Sequence, residues 1–160
     1  KETKHMGRII LESHNHKGTS FVEIYQNCNI FNDNAFANLT DKDKKLSTRI
    51  LLEDGAPMLF GPENNLGLKL NGSNFEVVEL GKDCSVDDVL VHNVKNKNLA
   101  ILISEMTYNE KLPVPFGVFY KEEKPTYEEM MINQIDDAIA SKGNPDLQSL
   151  INGAETWEVK

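Results

Sequence analysis

Basic residues are scarce in this chain, where 17 lysines and arginines stand against 25 aspartates and glutamates for a formal net charge of -8. Affinity for nucleic-acid backbones comes mostly from clustered Lys and Arg, so the charge argues against a nucleic-acid partner. Long apolar runs are missing as well. Nothing approaches the ~20 residues that cross a bilayer, and no basic start leads into an apolar stretch of the signal-peptide kind. No membrane partner is expected, and the expected setting is cytoplasmic. Cysteine occurs only twice, at Cys28 and Cys84. One widely separated pair without an export signal reads as two reduced thiols rather than a disulfide. A glycine-rich phosphate loop, a nucleophile elbow and an HExxH metal motif are all absent, and no internal repeat is visible.

What is present suits a packed α/β domain. A chain of 160 residues that is 39% hydrophobic can bury roughly 70% of the surface its unfolded form exposes, so a single core is the default expectation. It opens KETKHMGRIILESHNHKGTSF, without an initiator methionine and already inside a helical pattern, and so reads as a piece of something longer. Residues 3–15 place Met6, Ile9, Ile10 and Ser13 at helical spacing opposite Lys4, Arg8 and Glu12, which predicts an amphipathic helix closed by Lys17-Gly18. The β-branched and aromatic run TSFVEIYQ then predicts a strand, so that a helix feeds a strand as in an α/β unit.

Polar residues dominate after Asn32, and a long excursion is expected with a helical turn around Lys44 to Arg49. Asn71-Gly72 between LGLKL and NFEVVEL predicts a hairpin. Leu99, Leu102, Ile103 and Met106 share a helical face. LPVPFGVFYK reads as a proline-bordered strand of the kind found at sheet edges. The strongest helix signal is KPTYEEMMINQIDDAIASKG: Thr126 and Glu129 form a capping box, Met131, Ile135, Ala138 and Ile139 line one face, and Lys142-Gly143 ends it. A short helix over PDLQSLING and a terminal ETWEVK follow.

Among chemistry-bearing residues Cys28 is the sharpest candidate, since a thiolate between two asparagines at a predicted strand end can ligate a metal. A lone cysteine is nonetheless more often a small buried hydrophobe, and one thiol cannot hold a cluster that requires about four. Cys84 lies among carboxylates in GKDCSVDDV and reads as structural or merely exposed. His5, His14, His16 and His92 do not stand at ligand spacing with Cys or Glu. The HNH of residues 14–16 reads as favourable charge at a helix C-terminus. The paired carboxylates Glu122-Glu123, Glu128-Glu129 and Asp136-Asp137 fall at helix starts or on solvated faces. From the residues alone, no reaction is named.

At YQNCNIFND the chain resembles the beta subunits of 2-oxoacid:ferredoxin oxidoreductases, most closely the 2-oxoglutarate type. GTSFVEIYQNCNIFNDNAF, RILLEDGAPMLFG, VLVHN, LPVPFGVFYKEEKPTYEE and DLQSLINGAETWEV occur in the order and spacing of such subunits, so the resemblance covers essentially the whole chain. It implies the C-terminal half of a thiamine-diphosphate-binding subunit: a partial, mostly parallel sheet with flanking helices and a β-hairpin excursion. Residues 1–32 would end the cofactor-binding core and residues 33–160 would form a C-terminal extension.

The family decarboxylates a 2-oxoacid on thiamine diphosphate and Mg2+, passes electrons through a 4Fe-4S cluster to ferredoxin, and forms the acyl-CoA from coenzyme A. An alpha or fused alpha-gamma subunit completes the enzyme. Cys28 matches the family's late cluster cysteine, with Asn27, Asn29, Phe31 and Asn32 shaping its surroundings. The other three cluster cysteines and the GDGD-type metal-diphosphate motif are absent from these residues. The piece by itself is therefore expected to be inactive, and to aggregate or depend on a partner because unpaired strand edges are exposed. A competing expectation is a non-catalytic assembly or binding module derived from the same fold.

Overall fold

The computed structural model describes every residue except Lys1, Asp83, Glu158 and Lys160. It divides into two compact units, Lys1–Asn15 with Phe21–Glu122 and His16–Ser20 with Glu123–Lys160. The class is α/β, with a small parallel sheet and an antiparallel hairpin sheet.

In the first unit, helix α1 (Glu2–Asn15) arises from the expected helical pattern. The short helices α2 (Ala37–Thr40) and α3 (Lys45–Thr48) punctuate the polar excursion. Strand β1 (Arg49–Leu51) pairs in parallel with β5 (Val114–Phe116), which sets Ile50 opposite Pro115. A two-stranded sheet leaves β5 an outer edge, where the missing N–H of Pro115 is tolerated. Between them β2 (Leu59–Phe60), β3 (Leu66–Asn71) and β4 (Asn74–Glu79) form an antiparallel sheet in sequential order. The β3–β4 turn is the predicted hairpin, with Asn71 paired to Asn74.

Helix α4 (Lys97–Glu105) starts where the Asn96 side chain accepts from Leu99 N, and it lays Leu99 and Ile103 onto the sheets. With Met106 they join Ile50, Leu52, Met58, Phe60 and Leu68 in one core. The VLVHN segment braces the sheets from the side. Leu90 N donates to Leu68 O and Leu90 O accepts from Met58 N, both at 2.8 Å. Buried His92 reaches Val118 O at 2.8 Å through Nε2. A carbonyl only accepts, so that nitrogen carries the proton.

Two expectations are corrected here. The run over 19–26 is not a strand: no described residue forms a ladder with it, and Phe21 is 90% exposed. β-propensity describes fit to a pleated neighbour, and without that neighbour the backbone has no ladder to join. The apolar face predicted for α1 packs only in part. Ile9 and Ser13 are half-buried as expected, but Met6 and Ile10 remain 43% exposed, and ion pairs of Arg8 with Glu53 at 3.1 Å and of Glu12 with Lys121 at 3.3 Å add to the helix's attachment.

The same attachment carries a pH dependence. His5 is half-buried on α1, and its imidazole is held below its ordinary value first by desolvation, then by Arg8 and more weakly by Arg49, with Glu53 opposing. A histidine whose folded value is lowered binds its proton less readily than in the unfolded chain, so stability falls as pH drops below about 6.5. The thermal midpoint of the chain is expected to decline over that acid range, and His5→Gln to flatten the decline. An unchanged acid slope in His5→Gln would remove His5 from the account.

The second unit holds helix α5 (Tyr127–Lys142) and helix α6 (Leu147–Asn152). The capping box of α5 is formed as expected: Glu129 N donates to Thr126 Oγ1 at 3.2 Å, and Thr126 N donates to Glu129 Oε2 at 2.9 Å. Gly143 follows as its C-cap. Asp146 caps α6 by accepting from the backbone N–H groups of Gln148 and Ser149. No helix among the described residues is long and apolar enough to cross a membrane.

Candidate functional site

The loop carrying Cys28 is built by asparagine chemistry. The Asn27 side chain is its clamp: Nδ2 donates to Asn29 Oδ1 at 2.8 Å and to Asp33 Oδ1 at 2.9 Å, while Oδ1 accepts from Asn34 N at 2.9 Å. Asn34 adopts a left-handed backbone with φ of 61°, a conformation that Asn tolerates better than most residues. The loop closes as Asn32 N donates to Cys28 O at 3.0 Å in a single bridge.

This curl turns successive backbone N–H groups toward the sulfur. Backbone N–H groups, that of Phe31 foremost, then Ile30 and more weakly Asn32, outweigh the desolvation that opposes them and hold the Cys28 thiol below the ordinary range. A concave run of amide donors favours an anion, here a thiolate. Cys28 as a residue is half-buried, while the neighbouring residues Ile30 and Phe31 are 85% and 89% exposed. The loop is seated by aromatic contacts on either side of it in sequence. Tyr25 stacks on Phe36 with centroids 4.7 Å apart and makes a T-shaped contact with Phe116, the last residue of β5, at 5.6 Å.

Cys28 is thus a soft, accessible, thiolate-prone donor on a braced loop. Its fit to an iron-sulfur cluster is that of one ligand. Among the described residues no group of three or more His, Cys, Asp and Glu side chains could hold a metal. Cys84 is half-buried in a separate turn, where Gly81 N donates to its carbonyl at 2.9 Å.

Of the flanking residues named from the sequence, Asn27, Asn29 and Asn32 do build the loop, and Phe31 contributes its backbone N–H rather than its ring. Sequence reasoning missed Asp33, Asn34 and the Tyr25–Phe36–Phe116 platform. The density of Asn and Asp in NCNIFNDN was the available signal, because these side chains bond nearby backbone in turns.

Comparison with known proteins decides the relationship. The 2-oxoglutarate oxidoreductase subunit KorB of Mycobacterium tuberculosis (strain ATCC 25618 / H37Rv) is 31% identical over 148 residues, which is 90% of this chain. The chain is a homologue of that subunit. It spans 39% of the relative's length. No family model and no solved structure matches. The matched stretch takes in most of the chain, as the ordered segment resemblances imply.

Proposed function

We propose that this chain is part of a 2-oxoacid:ferredoxin oxidoreductase acting on 2-oxoglutarate, with Cys28 as one thiolate ligand of a 4Fe-4S cluster. The observation that carries the proposal is the 31% identity to the 2-oxoglutarate oxidoreductase subunit KorB over 90% of this chain, and the thiolate-favouring loop around Cys28 supports it. The N–H groups of Phe31, Ile30 and Asn32 would hold the thiolate and set the potential through hydrogen bonds to sulfur. This sequence contains two cysteines, so the remaining cluster donors are proposed to come from outside it. Residues 1–32 would end the cofactor-binding core, and residues 33–160 would extend it.

Thiamine diphosphate with Mg2+, when bound, supplies the carbanion chemistry of decarboxylation, which accounts for a site without an acid-base dyad. Its contacts, like those of coenzyme A and the 2-oxoacid, belong to the complete subunit and to an alpha or fused alpha-gamma partner. Ferredoxin would take the electrons, in the cytoplasm. The test is the complete subunit assembled with its partner and assayed for ferredoxin reduction that requires both 2-oxoglutarate and coenzyme A. A folded, cofactor-loaded complex that shows no such reduction overturns the proposal in favour of a non-catalytic assembly module.

A further inference from the structure

Two asparagines in this sequence stand directly before a glycine, Asn71 before Gly72 and Asn152 before Gly153. The backbone nitrogen of the following residue can attack an asparagine side-chain amide, and glycine obstructs that attack least because it has no Cβ. The structure treats the two pairs differently. At Asn152 both reacting groups are engaged within α6: Gly153 N donates to Ser149 O at 2.9 Å, and Asn152 Oδ1 accepts from Gln148 Nε2 at 2.9 Å. At Asn71, the last residue of β3, the backbone pairs with Asn74 across the hairpin, but among the described residues Gly72 N has no acceptor and the Asn71 side chain no partner. Gly72 turns away with φ of 64°, and nothing lies within 4 Å of where its Cβ would stand.

We infer that Asn71 is a site of intramolecular deamidation. The Gly72 nitrogen gives up its proton to solvent base and bonds to Asn71 Cγ, the Cγ–Nδ2 bond breaks, and the nitrogen of the side-chain amide leaves as ammonia. Water then opens the resulting cyclic imide at either carbonyl. Opening at one gives aspartate, and opening at the other gives isoaspartate, in which the main chain runs through the former side chain. The net change is one water consumed and one ammonia released, with no redox step. Both reacting groups belong to adjacent residues, so the reaction needs no partner. Ring closure does require the Asn71–Asn74 rung to open, and a structure opens most cheaply where it frays, here at the hairpin tip.

The same rung sets the consequence. Isoaspartate at position 71 adds a methylene to the main chain where the hairpin closes, while the inner pairs, from Leu66 opposite Glu79 to Leu70 opposite Phe75, keep their register. Leu68 and Val78 are buried on those inner rungs, which confines the damage to the tip. The hairpin thus gains a negative charge and a main-chain irregularity with the age of the molecule, without unfolding. The inference stands independently of the iron-sulfur assignment.

Timed incubation of the full-length protein in its assembled form, at mildly alkaline pH, tests it by peptide mapping around residues 71 and 152. The mass change of an amide becoming an acid is expected at Asn71 with a rate roughly tenfold above that at Asn152, where the bonds with Ser149 and Gln148 have to break first. Chromatography separates the two products, with Asn71→Asp as the standard for the aspartate form. Asn71→Gln, whose longer side chain disfavours the ring, is expected to abolish the change at that position and to leave Asn152 as it was. In urea, where both local structures are lost, the two rates should converge. Conversion of Asn152 as fast as Asn71 in the folded protein, no conversion of Asn71 over a period in which the urea-unfolded chain converts, or a gap of the same size persisting in urea each overturns the inference.

Discussion

Under the proposed function, Cys28→Ser is expected to empty the assembled enzyme of the proposed cluster while leaving the subunit folded. The substitution is nearly isosteric at a half-buried position, and the bonds that shape the loop run through Asn27 and the backbone rather than through the sulfur. What changes is the donor, from a soft thiolate to a hydroxyl with little affinity for iron. Iron and acid-labile sulfide should fall together with the visible absorption, and 2-oxoacid-dependent ferredoxin reduction should disappear with them. A variant that keeps its full iron and sulfide would remove Cys28 from the ligand set.

A second readout needs no cluster. In the chain alone, alkylation of Cys28 should reach half its maximal rate below the ordinary thiol value, because the N–H groups of Phe31, Ile30 and Asn32 stabilise the thiolate. An alkylation profile centred at the ordinary value would mean that the nest does not act on the sulfur, whatever the cluster does.

The difference between these readouts reflects what the sequence could and could not convey. Local devices were legible. Thr126 and Glu129 announced the start of α5, Asn71-Gly72 announced the hairpin, and the spacing of Leu99, Ile103 and Met106 announced the core face of α4, since each is settled within a few residues. Long-range pairing was not. Nothing in RIL or VPF says that β1 and β5 lie side by side, because a parallel pair is chosen by the fold that brings the strands together. The expected strand over 19–26 failed for the same reason, as β-prone residues cannot supply their own partner.

Helix α1 shows a further limit. Periodicity located the helix and half of its packing face, Ile9 and Ser13, but not that His5 and Glu12 would be half-buried beside them while Met6 and Ile10 stay exposed. At the site, the family resemblance picked out Cys28, whereas the donors around it are backbone N–H groups that any side chain could have carried. Only the run of Asn and Asp hinted at the curl that aims them.

Gly117 went unremarked in the sequence, and its replacement is expected to be the most damaging single methyl in the fold. It follows β5 with φ of 139°, and a Cβ there would sit 2.7 Å from Leu52 O and 2.9 Å from Leu52 Cβ. The clash cannot be relieved by turning a side chain, because the nearest atom is backbone. That backbone is itself pinned where Leu52 N donates to Phe116 O at 2.7 Å. Gly117→Ala therefore combines a strained conformation with overpacking against β1, for a loss of about 2–5 kcal/mol. That is a large share of the 5–15 kcal/mol that typically holds a domain together.

Gly55→Ala separates the two contributions. Its φ of 74° is also left-handed, but nothing lies within 4 Å of the added methyl, so it should cost only about 1 kcal/mol. Denaturant midpoints for the two variants would place Gly117→Ala far below Gly55→Ala, and equal midpoints would show that β1 yields to the methyl. The damage should also reach the thiol. Phe116 packs in a T-shaped contact with Tyr25, so displacing the end of β5 loosens the platform under the Cys28 loop. In Gly117→Ala the Cys28 alkylation profile should move back toward that of an ordinary thiol, while in Gly55→Ala it should stay where it was.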